Sequence, residues 1–121
     1  MINHLFKILS TMYFISLSIA FLIPLDLSLV TQIVEEKNQP SNNTSYFIHF
    51  VLFFILYLIF YFSFSNKYKI FIFCIIYSIV IELLQIFSSR GFQIYDIIFN
   101  LIGLITSFMF LNFLLKYQNK L

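Results

Sequence analysis

One cysteine, two glycines, two prolines and 10% charged residues are few for a chain of 121 residues. The lone cysteine, Cys74, excludes an intramolecular disulfide and any CxxC metal or redox pair. Charge is far below the roughly 25% carried by a soluble domain. In its place the chain is 61% hydrophobic and 21% aromatic, with 18 phenylalanines. A core enclosed by so short a chain cannot hide that much apolar side chain, because small folds leave much of their surface exposed. A soluble enzyme, a nucleic-acid-binding module and a disordered linker are therefore excluded as readings. The net charge of +2 is too small for a polyanion-binding footprint, so no nucleic-acid partner is expected. The chain reads as an integral membrane protein whose partners are membrane lipids.

What the sequence does contain is long apolar runs. Residues 5–25, 46–64, 70–87 and 94–115 are each close to the ~20 residues a helix needs to cross the hydrocarbon. Strict alternation of apolar and polar positions is absent, which disfavours a lipid-spanning barrel. The many β-branched and aromatic residues do not argue for strands, since an open sheet in lipid leaves backbone groups unsatisfied. The expected fold class is all-α, an integral membrane four-helix bundle forming a single domain over residues 1–121. The first run is longer than a typical signal-peptide core, and no small-x-small cleavage site follows Ala20, so it is read as a retained span.

Orientation follows from the basic residues. With the N-terminus inside, Lys7, Lys67, Lys69, Lys116 and Lys120 fall on the cytoplasmic side, and Lys37 and Arg90 fall outside. Both termini are expected to be cytoplasmic, and residues 26–45 to form an extracytoplasmic loop. The second link, residues 65–69, is expected to be a tight basic turn, and Gly91 permits a tight turn before the last span.

An ionisable group within a span costs about 2.5–3.5 kcal/mol on insertion scales, so it normally faces the bundle interior with a partner. His49, Glu82, Gln85, Asp96 and Asn100 are the polar exceptions, with Arg90 between the last two spans. On the expected topology all five lie in the outer half of the membrane, Glu82 roughly 9 Å below its boundary. Glu82 and Gln85 share a helix face, as do Asp96, Asn100 and Gly103. Gly103 would let a neighbouring helix pack closely. Helices three and four, joined by a short link, are expected to bring these two faces together with Arg90 near the lip. Tyr46, Tyr95 and Tyr117 fit an interfacial aromatic belt.

The string from Glu82 through Gln85, Arg90, Asp96 and Asn100 to Gly103 resembles the signature of the VanZ-like family. A histidine opening the preceding helix matches His49, and a small residue matches Ser107, so the resemblance covers roughly residues 46–107. Where that family often has Asp-Lys before the histidine, this chain has Ser45 and Tyr46. The resemblance implies a bacterial cell-envelope role in the cytoplasmic membrane. It also implies a ligand such as an amphipathic lipid or a lipid-linked cell-wall precursor. The family's founding member is associated with low-level resistance to the glycopeptide teicoplanin.

Four readings follow. The leading one is a site for an anionic or polar lipid head group in an outer-leaflet pocket. Arg90 would engage the anion, His49, Gln85 and Asn100 would hydrogen-bond, and Glu82 and Asp96 would orient Arg90. A membrane-embedded lipid-modifying enzyme is the second, with His49 and a carboxylate as acid and base. The sequence has no serine or cysteine nucleophile motif, no HExxH and no DDxxD-like cluster. A lipid or proton transporter is the third, and it would need a homo-oligomer to complete a path. The fourth is a purely structural bundle in which these groups only fix helix register. No metal, nucleotide or haem motif is present, so no cofactor is expected.

Overall fold

A computed structural model describes residues 2–23, 42–87 and 92–120. They form four helices: α1 (Ile2–Leu22), α2 (Asn42–Phe64), α3 (Lys67–Gln85) and α4 (Ile94–Gln118). Among the described residues there is no strand. At about 1.5 Å per residue the helices are roughly 28 to 38 Å long, which matches a hydrocarbon thickness of about 30 Å. Each is apolar enough to cross a membrane. Large side chains such as Leu5, Met12, Phe47, Ile76 and Met109 are exposed all around the bundle, the distribution expected where lipid is the solvent.

The helices run up and down, so that α1 and α3 begin where α2 and α4 end. The turn between α2 and α3 shows how the chain reverses. Ser65 adopts a left-handed conformation with φ of 61°, and its N–H donates to the Tyr61 carbonyl at 2.8 Å, closing α2. Asn66 then caps α3, its side-chain oxygen accepting from the Lys69 N–H at 3.2 Å. That cap starts α3 at Lys67, three residues before the apolar run begins, so most of the expected basic turn is helix. Ile23, which follows α1, precedes a proline in the sequence, and the residue before proline disfavours helical geometry.

The five lysines among the described residues, Lys7, Lys67, Lys69, Lys116 and Lys120, all lie at the end of the bundle that carries this turn. Lys67 Nζ donates to Asn112 Oδ1 at 3.1 Å, which ties α3 to α4 there.

The core is built around α2, with Phe53, Leu56 and Tyr57 fully enclosed against Leu104 of α4 and Ile81 and Cys74 of α3. Hydroxyls stitch the helices together at carbonyls of their neighbours. Tyr13 donates to Leu52, Ser63 to Phe6 and Ser107 to Phe54, at 2.8 to 2.9 Å. In lipid such bonds are worth about 0.6 kcal/mol each on average, so close packing has to supply the rest.

The closest approach is between α2 and α4. A Cβ on Gly103 would run into the Phe50 carbonyl oxygen and sit 3.2 Å from its carbonyl carbon. One turn on, Ser107 reaches the Phe54 carbonyl, so two small residues of α4 lie on successive turns of α2 backbone. This is the small-xxx-small mode of membrane packing, and it sets the distance across which the polar groups further along meet.

Candidate functional site

At the end opposite the lysines, polar side chains from three helices converge. His49 comes from the second turn of α2, Glu82 and Gln85 from the last turn of α3, and Asp96 and Asn100 from the first two turns of α4. All five are at most 7% exposed, and Glu82 and Asn100 are completely enclosed. Asp96 lies in the first turn of α4, where the N-terminal helix dipole favours a carboxylate.

His49 is the hub. Its Nδ1 lies 3.0 Å from Asn100 Oδ1. An amide oxygen only accepts, so Nδ1 donates, and this fixes the tautomer of a neutral ring. Glu82 Oε1 lies 3.7 Å from the same nitrogen, and Asp96 Oδ2 lies 3.6 Å from Nε2. Phe21 of α1 packs its ring 5.0 Å from the imidazole, and its carbonyl accepts from Gln85 Nε2 at 3.3 Å. Four helices thus hold one histidine.

Three enclosed polar atoms near this hub or one turn below it have no hydrogen-bond partner: Asp96 Oδ1, Asn100 Nδ2 and Ser78 Oγ. A buried polar atom left without a partner costs about 1–3 kcal/mol. Burial of this kind is expensive for a group whose only task is packing.

Of the residues singled out in the sequence, His49, Glu82, Gln85, Asp96 and Asn100 are brought together, and Gly103 stands at the α2–α4 crossing. Arg90 and Gly91 lie outside the described residues. The Glu82 and Asp96 carboxylates come together, with an oxygen of each and a ring nitrogen of His49 within 4.8 Å of one another. The five side chains are enclosed, whereas an open polar pocket was expected.

Beside them runs an apolar groove of about 470 Å³ lined by Tyr46, Phe47, Phe50, Phe99 and Ile102. Tyr46 stacks on Phe99 at 4.8 Å and meets Tyr95 at 6.1 Å, so two of the three belt tyrosines sit at this end. Tyr117 lies at the other.

Two participants were not foreseen. Ser78 stands one turn before Glu82 on the same face of α3, a spacing visible in the sequence. Phe21 is one phenylalanine among 18 and carries no such signal.

Fold and cluster together define a four-helix, multi-pass membrane protein with a buried polar hub at one end. A family model described as VanZ/LLP1 matches residues 4–115, and the chain belongs to that family. Comparison with curated proteins and with solved structures gave no match.

Proposed function

We propose that this is a bacterial cell-envelope protein of the cytoplasmic membrane that holds the polar head of an anionic amphipathic lipid at the His49 end of the bundle. The observation that carries the reading is the adjacency of a polar hub with unsatisfied hydrogen-bonding atoms to an apolar groove on the same two helices. Tyr46 and Phe50 flank His49 along α2, and Phe99 and Ile102 flank Asn100 along α4. A head group at the hub and a tail along the groove would satisfy both. The gathering of lysines at the opposite end supports cytoplasmic termini, and with that orientation the hub belongs to the outer leaflet. Arg90, in the link that follows α3, supplies the cation for an anionic group.

The test is native mass spectrometry of detergent-extracted protein with phosphatidylglycerol, comparing the wild type with Arg90→Ala. Lipid retention is expected to fall at least about tenfold, as for loss of a charge-assisted contact worth about 1.5–3 kcal/mol. Equal retention by the two folded proteins would contradict the reading.

A further inference from the structure

His49, Glu82 and Asp96 each present one donor atom, and the three atoms lie within 4.8 Å of one another, all buried. The geometry points to a divalent transition-metal site built from these three side chains. This inference stands whether or not the ligand of the preceding section is a lipid.

With Nδ1–H donated to Asn100 Oδ1, Nε2 keeps its lone pair, and Asp96 Oδ2 lies 3.6 Å from it. Two acceptors face each other, and something positive belongs between them. A shared proton would draw them to about 2.8 Å, because N–H···O bonds to charged groups are short. A zinc ion with bonds of about 2.0–2.2 Å places two ligand atoms roughly 3.4 Å apart at a tetrahedral angle. The observed separation fits the metal, not the proton.

Two further features belong to metal sites. A ligating histidine almost always donates its other ring N–H to a second group, which here is Asn100. Asp96 Oδ1, enclosed and without a hydrogen-bond partner, is available for a second bond to the same ion. One nitrogen with two carboxylates suits zinc or manganese, whereas magnesium and calcium prefer all-oxygen sets. Three protein ligands leave a coordination position open, the arrangement of sites that bind a water or an anionic oxygen. The sequence shows no metal motif because the three ligands come from three different helices, 33 and 14 residues apart.

The experiment uses full-length, tag-free protein in detergent, stripped with a chelator and titrated with Zn²⁺, and with Co²⁺ as a spectroscopic probe. One equivalent of Zn²⁺ is expected per chain, with Co²⁺ giving the intense visible bands of a four- or five-coordinate site. His49→Gln and Asp96→Asn should each abolish stoichiometric binding. Asn100→Ala should weaken it about 10–100-fold, as losses behind a ligand do. His4→Gln, an exposed histidine at the opposite end, should bind as the wild type does. Should a variant fail to fold, the wild-type Co²⁺ spectrum and stoichiometry decide alone. Failure of the folded wild type to bind Zn²⁺, or undiminished binding in folded His49→Gln, overturns the proposal. Loss of the metal with lipid retention intact, or the reverse, separates this site from the proposed lipid function.

Discussion

At the scale of single residues, Asn100 fixes the state of the hub. Its carbonyl oxygen holds Nδ1–H of His49, and without it that N–H faces Glu82 Oε1 at 3.7 Å, beyond hydrogen-bond distance. Asn100→Ala is expected to lower stability in detergent by about 1–3 kcal/mol, the cost of an orphaned buried donor. Nitrogen NMR of the ring should show the Nδ1-protonated form in the wild type and lose that preference in the variant. A variant with unchanged melting temperature and unchanged ring tautomer would contradict the role. Asn100 was legible in the sequence, as were His49, Glu82, Gln85 and Asp96, because a polar side chain in an apolar run has few reasons to be there. Phe21 was not legible, since its place against the imidazole depends on where α1 docks, and one apolar residue in an apolar helix carries no mark of depth. Nor could the sequence show that one imidazole would approach both carboxylates within 4 Å.

At the scale of elements, the α2–α4 crossing decides whether the hub exists. Gly103 and Ser107 remove side-chain bulk on two successive turns, and the helices close until backbone touches side chain. Gly103→Val meets the Phe50 backbone, which cannot give as a flexible side-chain tip could. The expected cost is about 1–3 kcal/mol of overpacking, together with a lengthened His49–Asn100 contact. Thermal unfolding in detergent with the same NMR readout checks both effects. Equal stability with an intact His49–Asn100 bond would show that the crossing is looser than described. Four helices of this order were readable from four apolar runs of sufficient length. The start of α3 was not, because Lys67 to Lys69 read as a polar link until the Asn66 cap draws them into the helix.

At the scale of the whole molecule, the charged groups divide between two ends. The described lysines gather at one end, and the two described carboxylates, Glu82 and Asp96, sit enclosed at the other. The apolar groove is lined by neighbours of His49 along α2 and of Asn100 along α4. The central claim is that the hub binds something and does not merely fix helix register. One measurement separates the two. In the variant His49→Phe, Glu82→Met, Gln85→Met, Asp96→Leu and Asn100→Leu, the whole hub is replaced by apolar side chains of similar volume. Buried polar networks replaced in this way often lose no stability and can gain a few kcal/mol. Native mass spectrometry of this variant beside the wild type, on protein shown by melting temperature to be folded, is the test. Equal or higher melting temperature with at least about a tenfold loss of retained lipid is expected. A destabilised variant that keeps lipid at the wild-type level would contradict the claim and leave the hub as a packing device.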